Sequence, residues 1–498
     1  MDEPFLALPL ERLADAALSR ARALGASHAD IRVESVRQLN VSVRDRRLEG
    51  ASEAEDLGLG VRVVHHGTWG FASTTGLTAE EAAAAAEEAV ELARASAPLS
   101  SQPVELAGEP AHPGVTWESP FVADPFRVPV AQRAELLISW TDKLLSGQVV
   151  DHADASVLAV KENKFYADLA GTTTTQQRVR VRPVATAVSI DPATGEFETM
   201  RTLAPPSARG WEYLEGDGWD WEKELEEIPS LLAEKRRAPS VEPGNYDLVI
   251  DPSNLWLTIH ESVGHATELD RALGYEAAYA GTSFAKFELL GKLRYGSPAM
   301  HVTGDRTAPY GLATIGYDDE GVEAQSWDLV REGVLVGYQL DRRAAALAGM
   351  ARSNGCAFAD SPSHVPLQRM ANVSLQPAPG GPSTSELLAG LGDGIYIVGD
   401  KSWSIDMQRY NFQFTGQRFF AVRGGRIVGQ LKDVAYQATT TEFWGALEAV
   451  GGEQTYVLGG AMNCGKGQPG QVAPVSHGCP AALFRKVRVL NSAKEALR

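Results

Sequence analysis

The sequence predicts an α+β protein: a mixed α/β N-terminal domain over residues 1–238, then a β-rich C-terminal domain over 239–498 carrying a candidate metal-binding helix. Three observations predict it. Helix and strand periodicities alternate through the first half. The connector APSVEPGN, 238–245, places two prolines and a glycine where both periodicities stop. Beyond it, short alternating runs and turn dipeptides dominate, as in a β-rich fold. A chain of 498 residues with 44% hydrophobic content can bury two large cores.

Taken in order, Leu10 to Leu24 repeats apolar residues at helical spacing, and DIRVESVRQLNVSVRD reads as two strands. A further strand pair follows at LGLGVRVV and TWGFAST. The run LTAEEAAAAAEEAVELARAS predicts a helix with Thr78 as N-cap and its alanine stripe as a packing face. Residues 98–127 are proline-rich and aperiodic, a loop or linker. A helix is predicted near Val130 to Leu145, then strands at ASVLAVKENKFYADLA and TTTTQQRVRVRPVATAVSI, then a helix at WEKELEEIPSLLAEKRRA. The tryptophan-rich stretch WEYLEGDGWDWE, 211–222, has no assigned role beyond a surface helix entry. His65-His66 reads as a strand-end pair. In the second half, YDLVIDP is a buried strand and NLWLTIHESVGHATEL a helix. VREGVLVGYQLD and FFAVRGGRIVGQL are hairpins, the latter on a Gly-Gly turn. Short helices fit AAALAG, STSELLAGL and TTEFWGALEAV.

Forty-six basic against sixty-four acidic residues leave a net charge of −18, without a basic cluster able to track a phosphate backbone, so nucleic acid is not an expected partner. Three cysteines, Cys356, Cys464 and Cys479, are too few and too odd for a disulfide framework. The acidic, amphipathic N-terminus lacks the basic start and apolar core of a signal peptide, and no run approaches eighteen apolar residues. A cytoplasmic protein with no membrane partner is expected.

The chemistry concentrates in HESVGH, 260–265. His260 and His265 are five apart, which on an α-helix at about 100° per residue splays them by about 140°. One i→i+5 turn would return both to one side, and such turns favour functional sites; Gly264 would tolerate the distortion. Two imidazoles suit zinc, and Glu261 between them can take a proton from a metal-bound water. A third ligand must come from elsewhere. MNCGKGQPGQ offers Cys464 in a glycine-rich loop; SHGCP offers His477 and Cys479. Composition leaves these close rivals, with slight preference for Cys464. Glu268, one turn past His265, is placed to orient an imidazole, with Asp270 a weaker candidate. Cys356 reads as a plain turn cysteine.

HESVGHATELD followed by NCGKG, together with YDDEG, RMANV and PVSHGCP, resembles the TldD/PmbA family of metallopeptidases, in its TldD-like, HExxxH-bearing branch. The resemblance covers the C-terminal half by motif and the N-terminal half only in layout and length. It implies zinc held by His260, His265 and Cys464, with Glu261 as catalytic base. It also implies small unfolded or modified peptide substrates, and a closed dimer, either a homodimer or a heterodimer with a PmbA-like subunit. Arg369 and Asn372 in RMANV, and His477, are candidate groove residues whose alternative is packing. The competing reading is a non-catalytic peptide- or partner-binding subunit with a closed, four-ligand structural metal site.

Overall fold

The computed structural model describes residues 1–467 and 470–495. The architecture is α+β. The first half builds a seven-stranded sheet in the order Thr68–Thr74, Arg47–His65, His28–Arg44, His152–Asp168, Thr173–Ile190 and Val115–Glu118, with Phe197–Arg201 also pairing to Thr173–Ile190. The pairings are antiparallel except that of Val115–Glu118. Where two strands were expected at 30–45, one strand runs unbroken from His28 to Arg44. The charged residues Arg32 and Glu34 are buried in mid-strand.

Two helices cover one end of this sheet. The alanine stripe of Ala79–Ser96 packs there against Leu13, Ala17 and Ala21 of Leu10–Ala23. The Thr78 hydroxyl caps Ala79–Ser96 by accepting from Glu81 N. At the other end, Val130–Leu145 and Trp221–Arg237 enclose a core in which Trp140 and Trp221 stack with ring centres 4.3 Å apart. The tryptophan-rich stretch is therefore core for its buried members Trp211 and Trp221.

The second half centres on a sheet ordered Gly394–Ile405, Gly244–Ile250, Ala482–Asn491, Val434–Thr439, Asn411–Arg423 and Arg426–Leu431. Pairing of Gly394–Ile405 with Asn411–Arg423 closes five of these strands into a ring. The Gly424-Gly425 turn of the predicted hairpin has both residues at positive φ, 54° and 75°. A separate ribbon, Val457–Lys466 with Gln471–Cys479, lies against the helix Pro252–Ile259. Its approach is close: a Cβ on Gly459 would stand 2.6 Å from the Trp256 ring.

The halves are joined by buried ion pairs. Lys164, mid-strand in the first sheet, donates to both oxygens of Asp319 at 2.8 and 2.7 Å, and Arg62 bridges Asp30 and Glu320 at 2.7 and 2.9 Å. The YDDEG segment thus serves as the acidic side of this junction. Burial, then the charge of Glu320, pushes the Asp318 carboxyl up to about 8. Removing one partner of a buried pair strands the other without solvent. Lys164→Met is expected to lower stability by about 3–5 kcal/mol in chemical denaturation; an unchanged midpoint would mean that the junction does not hold the halves together. No helix among the described residues is long and apolar enough to cross a membrane.

Candidate metal centre

The strand Gly244–Ile250 leads directly into the helix Pro252–Ile259, whose first turn is capped by Asp251 accepting from Ser253 N at 3.0 Å. Asn254 pins the helix to the ring by donating to the carbonyls of Gly399 and Thr415, both at 2.9 Å. At His260 the α-helix gives way to a π turn over His260–Gly264, then a 3₁₀ turn over His265–Thr267. This is the wide turn the five-residue spacing called for. Carbonyls displaced from α-helical pairing find side-chain partners: Tyr295 OH on Ser262 O at 2.5 Å, Thr267 Oγ1 on Val263 O at 2.8 Å, and Gln339 Nε2 on Gly264 O at 2.7 Å. Gly264 itself keeps right-handed helical angles. Its role is space, since a Cβ there would lie 2.5 Å from the Met370 sulfur.

The turn brings the rings of His260 and His265 to 4.7 Å between centres. One ligand atom each from His260, His265 and Cys464 falls within 4.8 Å of the others, and all three residues are buried. Hydrogen bonds select the ring nitrogens. His265 Nδ1 donates to the Glu268 carboxylate at 2.8 Å, leaving Nε2 as a lone pair. For His260 the selection runs through His477, which donates from Nδ1 to the Val373 carbonyl at 2.8 Å. The Nε2 of His477 is therefore an acceptor, and it receives His260 Nδ1–H at 2.7 Å. Burial drives the His477 pKa well below its ordinary value and keeps that ring neutral. Both histidines so present Nε2.

Cys464 completes the group. Its Sγ is 3.6 Å from His265 Nε2. A tetrahedral zinc holding nitrogen at about 2.05 Å and sulfur at about 2.3 Å sets the two about 3.6 Å apart, so this pair fits that ion. Burial raises the thiol pKa, but His265 and then Arg369 outweigh burial and bring it below its ordinary value. Arg369 also donates to Cys464 O and, at 3.3 Å, to Gln471 O, bracing the ribbon. Asn372 is buried and ties Asp305, Ala313, Thr314 and Ser476 together. Neither Arg369 nor Asn372 lines a groove; both pack. Cys479 is buried with its sulfur 3.6 Å from Pro252 O, away from the cluster.

Around this centre, Lys466 reaches Glu268 at 3.2 Å, Asp270 at 2.8 Å and Glu276 at 3.4 Å. Against the penalty of burial, Lys466 and then His265 hold Glu268 well below the usual carboxylate range. Asp270 thus serves Lys466, not an imidazole. Glu261 accepts from Arg409, at the tip of the hairpin between Gly394–Ile405 and Asn411–Arg423. Burial opposes its charge, yet His260, His265, Arg409 and a hydrogen bond from Trp403 lower its pKa. No sequence signal marked Arg409 or Trp403. Lys466 lies inside the CGKG match, but its role was not read there. A cleft of about 400 Å³ opens onto Glu261 and the three ligand candidates, walled by Trp256 and Trp403 from the second half and by Arg182 and Arg201 from the first.

Residues 243–491 match the family model described as the PmbA/TldA metallopeptidase C-terminal domain, and residues 29–93 match PmbA/TldA metallopeptidase domain 1. A metalloprotease of Methanothermobacter thermautotrophicus is 27% identical over 468 residues, covering 93% of this chain and 95% of that protein. A protein of Saccharolobus solfataricus named zinc metalloprotease TldD homolog is 22% identical over 475 residues, with coverage of 95% and 98%. Among solved structures, a putative modulator of a DNA gyrase from Thermotoga maritima aligns with a TM-score of 0.74 at 15% identity, covering 96% of this chain and 100% of that one. TldE from Thermococcus kodakarensis aligns with a TM-score of 0.71 at 15% identity, with coverage of 95% and 98%. At these identities the structural likeness concerns the fold. The chain belongs to the TldD/PmbA family of metallopeptidases.

Proposed function

We propose that the protein is a zinc-dependent metallopeptidase that hydrolyses small unfolded or modified peptides, with His260, His265 and Cys464 as metal ligands and Glu261 as catalytic base. The observation that carries this reading is the convergence of two imidazole Nε2 atoms and one sulfur beside a carboxylate at the floor of a cleft. The relatives named metalloproteases, one of them a zinc metalloprotease, support it. Zinc, when bound, supplies Lewis-acid polarisation of the scissile carbonyl and lowers the pKa of the attacking water. Glu261, ionised through its cationic neighbours, accepts the proton from that water and returns it to the departing amine. Trp256 and Trp403 line the cleft beside Glu261. In the proposed division at 238/239, both domains contribute to the cleft walls.

The test is incubation of the protein with an unstructured peptide pool, read by mass spectrometry, beside elemental analysis. About one zinc per chain is expected, with cleavage lost on chelation and restored by zinc. An intact pool with zinc-loaded protein would overturn the reading. A dimer, either with itself or with a PmbA-like subunit, is supported by the likeness to TldE and is checked by mass in solution. Three unpaired, buried cysteines suit the proposed cytoplasmic location.

Arg409 supplies a pH prediction. It is among the groups that lower the Glu261 pKa, so Arg409→Met raises that pKa. Protonation of the base then begins at higher pH, and the acid limb of kcat/KM moves upward while zinc content holds. An unmoved limb would remove Arg409 from any influence on the base.

A further inference from the structure

The first-half wall of the cleft carries two guanidinium groups, and one carboxylate, Asp400, meets them from the second half. Arg201, on the strand Phe197–Arg201, pairs with Asp400 at 2.5 Å. Arg182, on Thr173–Ile190, lines the same cleft, and no carboxylate lies within ion-pair distance of it among the described residues. Burial, then repulsion from Arg201, lowers the Arg182 pKa, with Asp400 only partly opposing. A third donor adjoins them. Gln417 is 3% exposed and lines the cleft; its Oε1 accepts Arg201 N at 2.7 Å, while its Nε2 has no protein partner. On this side of the cleft two cations and a buried amide share one carboxylate, Asp400, an environment in which a bound carboxylate gains charge-assisted hydrogen bonds.

Resting on the peptidase reading above, we infer that Arg182, with Arg201 and Gln417, forms an anion subsite that takes a carboxylate of the peptide substrate, either its C-terminus or an Asp or Glu side chain. Trp256 Nε1 donates to Asp400 at 3.2 Å, and the Trp256 ring centre is 6.4 Å from that of His260. Trp256 thus stands between Asp400 and the metal centre along the cleft wall. Arg182 is the residue that sets the preference, because Arg201 already has a counterion.

The experiment measures binding, so that it does not depend on turnover. Zinc-loaded full-length Glu261→Gln protein is titrated against N-terminally fluorescein-labelled, unstructured octapeptides and followed by anisotropy. Glu is compared with Gln at each position, and each peptide is made as a C-terminal acid and as an amide. One placement of the carboxylate is expected to tighten binding about tenfold to a hundredfold, with the gain shrinking as ionic strength rises. A gain confined to the acid over the amide identifies the terminal carboxylate; a gain confined to one Glu position identifies a side chain. Adding Arg182→Gln should erase the gain, while Arg182→Lys keeps part of it. Equal affinity for charged and neutral peptides, or a gain that survives Arg182→Gln, overturns the subsite and leaves the peptidase reading standing. Failure of every peptide to bind overturns both.

Discussion

Glu261→Gln is expected to retain its zinc and lose peptide cleavage, with kcat falling about 10²- to 10⁴-fold. The substitution keeps the size of the side chain and removes its proton affinity. The amide oxygen can still accept from Arg409, so the hairpin tip keeps a contact in the variant. Neither imidazole depends on Glu261 for its orientation: His265 is set by Glu268, and His260 by His477 and the Val373 carbonyl. Metal content and proton transfer are therefore separable at this position. Zinc per chain by elemental analysis and kcat/KM on one peptide released from the pool decide the matter. Cleavage at the wild-type rate would take the base role away from Glu261, and loss of zinc would make it part of the metal's support.

Much of this centre was legible because one spacing is incompatible with an α-helix. Histidines five apart cannot share a face unless the turn widens, and the widened turn is what Tyr295, Thr267 and Gln339 hold open. Glu268 was legible for a similar reason, being one turn beyond His265. The choice among Cys464, Cys479 and His477 was not legible from composition, because it depends on how the ribbon Val457–Lys466/Gln471–Cys479 lies against the helix. Arg409 and the cleft arginines were not legible either. Arg182 falls in RVRVRPV, where alternation marks a strand but not what its charged face meets. The same limit explains the single long strand at His28–Arg44. Arg32 and Glu34 pair with each other in mid-strand and also meet Asp319 and Lys164, which are distant in the chain. Local periodicity finds elements and faces; pairings made across the two halves escape it.

Cys464→Ser should empty the site of zinc, with affinity falling by at least about a hundredfold, a larger effect than loss of an orienting partner. Serine keeps the shape but not the chemistry: its hydroxyl stays protonated, whereas His265 and Arg369 bring the Cys464 thiol below its ordinary pKa. Cys479→Ser should leave zinc in place. That thiol is pushed well above its ordinary pKa, first by burial and then by Asp251, and it is disposed toward Pro252. The pair of variants also weighs the closed, structural alternative, which needs a fourth protein ligand. His477 is poorly suited, since its two nitrogens are engaged by Val373 and His260, and His477→Phe should weaken zinc about 10- to 100-fold by releasing the His260 ring. Equilibrium zinc competition on the three variants, with circular dichroism to show that each is folded, reads all of this. Retention of zinc by Cys464→Ser together with its loss from Cys479→Ser would move the third ligand to the SHGCP segment and close the cleft side of the centre.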